Sequence, residues 1–270
     1  MKPRSNRKPP ARACALLAGL ALVTSTHALD LTVDDPVLKE CLDRSLPKKA
    51  MTQQVTLKLF EGEELLNTSQ AELFWKRGAD DKSKVIVRMT APPERAGIAV
   101  LAVERGGQDP DLAVYMPETR KARKVSGRTI DASMFGTDFS YEDFAYFQGM
   151  ATDSKVTRLE DQDIDGRGNY VVEILPGSAG SKYSKVMSYI DREQCMLTKI
   201  DFFAKNGTLL KDLAVPRADI KQIGERFVPH KVVLNDHKRS SRTELTVDAL
   251  EIDPDLADNM FSQSRFGAGR

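Results

Sequence analysis

From residue 55 onward the dominant period of the chain is two. Val55, Leu57 and Leu59 alternate with Thr56, Lys58 and Phe60, and Ala71, Leu73 and Trp75 alternate with Glu72, Phe74 and Lys76. Residues 84–89 are rich in β-branched types, 98–103 are almost purely apolar, and 112–116 follow. Successive side chains of a strand point to opposite faces, so these stretches predict five strands. Gly62, Gly78-Ala79-Asp80-Asp81, Pro92-Pro93 and Gly106-Gly107 separate them as turns. Period two resumes at 155–160, 169–175, 185–191, 196–204, 209–215, 227–235 and 242–252, with Asn206-Gly207 as a hairpin signal. A short helix is predicted at 37–45, after Asp34-Asp35-Pro36 and before Pro47, and a last helical turn at 254–261. The expected fold is mainly β with a few helices: one large antiparallel sheet, strongly curved or barrel-like.

Residues 129–150 break the alternation. Met134, Phe135, Phe139, Tyr141, Phe144, Tyr146 and Phe147 crowd together with Asp138, Glu142 and Asp143. This reads as a loop and short helix laid over something apolar. With Leu73, Trp75, Met89, Val100, Tyr115 and Met116, the residues Met134, Phe135, Phe139, Tyr141 and Phe144 are candidate lining and lid of an apolar cavity. The same types equally suit a filled core. Asp138, Glu142 and Asp143 fit helix capping and ion pairing better than acid-pair catalysis. Just before them, Arg120, Lys121, Arg123, Lys124 and Arg128 form a basic run. It is a candidate contact for a partner or for lipid headgroups, or else a solvated loop pairing with the acids at 138–143.

The N-terminus changes how the charge is read. Lys2, Arg4, Arg7, Lys8 and Arg12 precede an apolar run over 13–23, then Thr26-His27-Ala28. That is the pattern of a signal peptide spanning 1–28, cleaved after Ala28, and its apolar run is too short to span a bilayer. It holds five of the 40 basic residues and none of the 39 acidic ones, so the exported remainder, 29–270, is net negative by about four. The low net charge argues against a dedicated nucleic-acid binder, and export to the periplasm is expected. Two cysteines remain, Cys41 and Cys195. In an oxidising compartment an even count favours a bridge between them, and neither has a local partner that would make it a reactive thiol.

Catalytic and metal motifs are poor. Asp161-Gln162-Asp163-Ile164-Asp165-Gly166 opens like a calcium loop, but Val172 stands where the bidentate Glu is needed, so an acidic hairpin turn is the better account. His230 and His237 are seven apart, on opposite faces of any one strand. Gly177-Ser178-Ala179-Gly180-Ser181 is not a nucleophile elbow, and Ser45-Leu46-Pro47-Lys48 lacks its companion motifs. No metal, no cofactor and no catalytic residue is expected.

Two stretches carry a resemblance. One is Tyr115-Met116-Pro117 with the basic run after it; the other is Gly136-Thr137-Asp138-Phe139-Ser140-Tyr141-Glu142-Asp143-Phe144. Tyr189-Ile190-Asp191, Leu197-Thr198-Lys199-Ile200, Asn206-Gly207 and Leu210-Lys211 add weaker pieces. Together they resemble the outer-membrane lipoprotein-sorting, LolA-like family over about residues 45–262. The resemblance implies a single domain built as an incomplete half barrel, with helices covering the open side and acyl chains in an apolar hollow. It implies a periplasmic lipid- or lipoprotein-binding carrier, not an enzyme, working with an inner-membrane transporter of the resistance-nodulation-division (RND) type. Two alternatives belong to other classes. One is an accessory subunit of an envelope transporter that carries no cargo; the other is a lipid hydrolase using Asp138 or Asp143 with a Ser.

Overall fold

The computed structural model describes residues 36–45, 47–105, 108–150 and 154–267. The expected signal peptide with its cleavage site, and the Gly106-Gly107 turn, lie outside the described residues. Helix α1 (Pro36–Ser45) comes first. Six strands follow: β1 (Ala50–Glu61), β2 (Glu64–Arg77), β3 (Ser83–Ala91), β4 (Ala99–Val103), β5 (Asp111–Met116) and β6 (Lys121–Val125). Helix α2 (Tyr141–Phe147) stands alone in the middle of the chain. Then come β7 (Ser154–Arg158), β8 (Gln162–Ile164), β9 (Arg167–Pro176), β10 (Tyr183–Asp191) and β11 (Met196–Ala204). They are followed by β12 (Leu209–Ala214), β13 (Ile220–Ile223), β14 (Arg226–Pro229), β15 (Lys231–Asp236) and β16 (Ser241–Ile252).

Fourteen of these strands form one antiparallel sheet, ordered β6-β5-β4-β3-β2-β1-β16-β15-β12-β11-β10-β9-β7, with β8 also on β9; β13 and β14 form a separate hairpin. The first and last strands pair in the middle of the sheet, Leu57 opposite Leu245. The chain therefore builds one wing outward from β1 to β6. It leaves that edge, crosses through 126–150, and fills the other wing inward from β7 to β16. The two edges, β6 and β7, do not pair, so the sheet is open.

The crossing segment lies on one face. Val55, Leu73, Trp75, Val87, Val100 and Leu112 of the first wing form a continuous apolar layer with Val186, Ile200, Phe202, Leu213 and Leu234 of the second. Met134, Phe139, Phe144 and Tyr146 belong to the same layer. Apolar residues of both wings and of the crossing segment thus meet in one continuous layer. The opposite face of the first wing carries a second layer. There Phe74, Ile86, Leu101 and Ala113 pack under Leu256, Phe261 and Phe266 of the C-terminal strap. Both faces of β3 and β4 are thus covered, which is why 98–103 reads as an unbroken apolar run.

The prediction and the fold differ in places with clear physical causes. β6 was expected as a loop, because Lys121, Ala122, Arg123 and Lys124 are all exposed and only Val125 is buried. Pairing with β5 makes it a strand despite that pattern. The stretch 227–235 divides at His230, since Pro229 has no N–H to continue a ladder. The last helical turn is a 3₁₀ turn only, Asp258–Phe261. The disulfide Cys41–Cys195, with Cα atoms 4.7 Å apart, ties α1 to the turn between β10 and β11.

Candidate functional site: a crossing segment seated on buried charges

The polar residues of the crossing segment are as deeply buried as its aromatic ones. Thr137, Asp138, Ser140, Glu142 and Asp143 are all buried, Asp143 completely so. α2 opens with a reciprocal cap: the Asp143 N–H donates to Ser140 Oγ at 3.1 Å, and Ser140 N–H donates to Asp143 Oδ2 at 2.8 Å. Asp143 then reaches past the cap into the second wing. Its Oδ2 accepts from Lys211 Nζ on β12 at 2.7 Å, and its Oδ1 accepts from the Tyr183 hydroxyl on β10. Burial, and then the adjacent Asp143 carboxylate, push the Tyr183 hydroxyl far above its ordinary pKa, so it stays a donor.

Lys211 Nζ also donates to the Asp138 carbonyl at 2.5 Å, and is itself 3% exposed. The Asp138 side chain binds β16. Its Oδ1 accepts from Ser241 Oγ at 2.6 Å and its Oδ2 from Thr243 Oγ1 at 2.8 Å, while Asp138 N–H donates to Thr243 Oγ1 at 2.9 Å. Arg239, half exposed, stands 3.5 Å from Oδ1. Removing such charges from water is costly, and it holds only where each carries good hydrogen bonds, as Asp138, Asp143 and Lys211 do.

Glu142 is the exception. It is 2% exposed, and Oε2 has no hydrogen-bond partner. Burial raises its pKa to about 7. A hydrogen bond with the Ser181 side chain and the Lys182 charge oppose that rise, and Asp143 and Asp131 add to it. At the other end of the segment, Arg95 from the β3–β4 connection donates to the Phe135 carbonyl at 2.7 Å. Phe135 sits at φ +56 and Gly136 at φ +70. The positive φ of Gly136 favours glycine, and a Cβ there would press the Arg95 guanidinium at 3.3 Å.

Of the candidate cavity residues, Leu73, Trp75, Met89, Val100, Met134, Phe139, Tyr141 and Phe144 come together in the main apolar layer, with Phe135 packed against it. Each of the first eight is at most 9% exposed. Tyr115 is elsewhere. It borders the layer under the C-terminal strap, its ring 6.2 Å from that of Phe266, because Val114 beside it takes the other face. Met116 is half-buried at the end of β5. A cleft of about 340 Å³ lies away from these residues, lined by Lys48, Lys76, Arg77, Asp253 and Leu256 among others.

The basic residues do not meet the acids at 138–143, which bind Lys211, Tyr183, Ser241 and Thr243 instead. Lys211, Tyr183, Thr243 and Arg95 escaped the sequence reading. For Lys211 there was a signal: it precedes buried Leu213 by two on β12, a lysine at a core-facing position of the alternation.

A family model described as "-like: Uncharacterized protein" matches residues 81–267, more than half of the chain. The chain belongs to this family. Three solved structures share the fold, each over 84% of this chain. A protein described as an outer membrane lipoprotein-sorting domain, from Vibrio parahaemolyticus, is 22% identical at TM-score 0.73 over 95% of its length. A DUF1329 family protein from Desulfovibrio piger is 20% identical at TM-score 0.73 over 95% of its length. A LolA superfamily protein from Nitrosomonas europaea is 20% identical at TM-score 0.63 over 96% of its length. No curated protein matches the sequence. The fold is thus LolA-like: mainly β, with one large, open antiparallel sheet. No helix of the described residues is long and apolar enough to cross a membrane.

Proposed function

We propose that this is a periplasmic lipid- or lipoprotein-binding protein, exported by a signal peptide spanning 1–28, with residues 29–270 forming one LolA-like domain. Acyl chains would lie between the apolar face of the sheet and the crossing segment, and an inner-membrane transporter of the RND type would be its partner. One observation carries the reading. The crossing segment packs into the apolar layer of an open sheet, and it is fixed by a local polar seat, Asp138 and Asp143 on Lys211, Tyr183, Ser241 and Thr243. A chain entering there gains ~0.8 kcal/mol per buried CH₂. Asp138 and Asp143 serve as supports in this arrangement. Both are sealed from solvent and fully engaged, which leaves the hydrolase alternative without an accessible acid.

Native mass spectrometry of the protein taken from the periplasm, with organic extraction, tests the reading. A co-purifying acyl lipid or lipopeptide is expected. A clean apo mass with no uptake of a fluorescent fatty acid would refute it in favour of the accessory-subunit reading. The tight packing of Trp75, Met89, Phe139 and Phe144, each at most 4% exposed, favours that second reading.

A further inference from the structure

We propose that the β6 edge of the sheet docks onto an anionic lipid bilayer. Between 117 and 130 the chain holds five basic residues, Arg120, Lys121, Arg123, Lys124 and Arg128, against the single acid Glu118. All five are exposed. Lys124 alone among them is ion-paired within the described residues, 3.7 Å from Asp111, which Arg105 also engages at 2.8 Å. The nearby acids that would have neutralised the run in a solvated loop are buried under the sheet and bound to other partners. The positive charge is therefore left facing outward on a chain that is negative overall once the first 28 residues are removed.

Its placement follows from register. Arg123 lies opposite Val114 and Lys121 opposite Met116, while Val125 lies opposite Leu112. Val114, Leu112 and Val125 belong to the main apolar layer. Side chains alternate, so Lys121 and Arg123 stand on the face that carries that layer, at its rim, and Lys124 stands on the other face. Cations thus line both sides of one sheet edge. The other edge carries no such excess: Lys155 and Arg158 on β7 stand beside Glu160, Asp161, Asp163 and Asp165, and Asp161 pairs with Arg158 at 2.7 Å and Arg192 at 3.2 Å. The concentration of positive charge on β6 turns that edge toward a negative surface. A row of lysine and arginine on an edge disfavours the addition of another strand, which selects a lipid surface over an extended peptide. Docked this way, the apolar layer opens toward the bilayer along β6.

Vesicle sedimentation of the purified protein tests the proposal independently of cargo. Phosphatidylcholine vesicles are compared with vesicles of equal parts phosphatidylcholine and phosphatidylglycerol. Binding is expected to the second only, and to weaken with salt. The triple variant Lys121→Glu, Arg123→Glu, Lys124→Glu should lose at least about tenfold in vesicle affinity. A control carrying Lys58→Glu, Lys155→Glu and Lys221→Glu has the same net charge and should retain it. Both should keep the far-UV circular dichroism of the parent. The pair Arg120→Gln and Arg128→Gln, outside the strand, should weaken binding without touching β6. Equal binding to both vesicle types, binding to neither, or equal loss in the two triple variants would overturn the proposal. So would self-association through the basic edge, or capture of an acidic protein in place of vesicles. A protein that docks but extracts without lipid would fail the carrier reading alone.

Discussion

Replacing Glu142 with Gln separates a buried charge from the shape that surrounds it. In the unfolded chain this carboxyl ionises near 4.5; in the fold, burial moves it to about 7, against Ser181 and Lys182 and aided by Asp143 and Asp131. The folded pKa lies above the unfolded one. The folded chain therefore holds a proton that the unfolded chain releases, and the group's contribution is most favourable below about 4.5. It is lost as pH rises from there through 7, then levels off. A full shift of this size corresponds to about 3 kcal/mol. Gln keeps the volume, carries no charge, and places an amide where Oε2 lacks a partner. The expected result is that Glu142→Gln stabilises the protein relative to the parent by about 2–3 kcal/mol more at pH 8 than at pH 5. Urea unfolding at the two pH values measures it. A difference between variant and parent that does not change with pH would refute the reasoning, because it would mean that Glu142 is not ionised at the cost of burial.

Lys211→Met, which leaves Asp143 charged and sealed, should cost about 3–5 kcal/mol in urea unfolding; a loss under about 1 kcal/mol would show that the pair is not buried in solution. Thr243→Val removes both the acceptor for Asp138 N–H and the donor to its carboxylate, and should cost about 1–3 kcal/mol, with faster amide exchange at Asp138 as the local sign. Reducing the Cys41–Cys195 bond, which spans 154 positions, should lower stability by about 2–5 kcal/mol, seen as a fall in Tm with dithiothreitol that a Cys41→Ser, Cys195→Ser variant no longer shows.

What the sequence conveyed was the sheet, and what it concealed was the seat. Strict alternation in 71–75 places Leu73 and Trp75 on one face and Phe74 on the other, and the structure keeps that assignment. It is local information, and short-range periodicity carries it. Asp143 was likewise legible as part of a cap, because a cap is made within one turn. Lys211 and Thr243 lie 68 and 105 positions from their partners. Nothing in a three-residue window announces that pairing; only the crossing of the chain from one sheet edge to the other brings them together. β6 escaped for the converse reason. An edge strand faces solvent with most of its side chains, so its composition is that of a loop although its backbone is paired.

The chemistry of the seat bears on how the segment could open. An apolar lid of this kind loses its whole burial energy when it lifts: Phe139 and Phe144 alone represent ~1.5–3 kcal/mol each. Asp138, Asp143 and Lys211 behave differently, since each regains hydration as the segment leaves, and that gain offsets much of the lost pairing. The polar contacts therefore define where the segment sits more than they oppose its departure. What opposes departure is the exposure of the aromatic side chains, and an acyl chain laid against Trp75 and Met89 would cover them in their place. For the acyl cargo proposed above, opening and binding would be coupled through the same apolar layer, because a ligand shifts an equilibrium only by its preference for one state. A seat made wholly of apolar contacts would hold as well but would specify position less sharply, and a seat of charges without Phe139 and Phe144 would leave nothing for an acyl chain to replace.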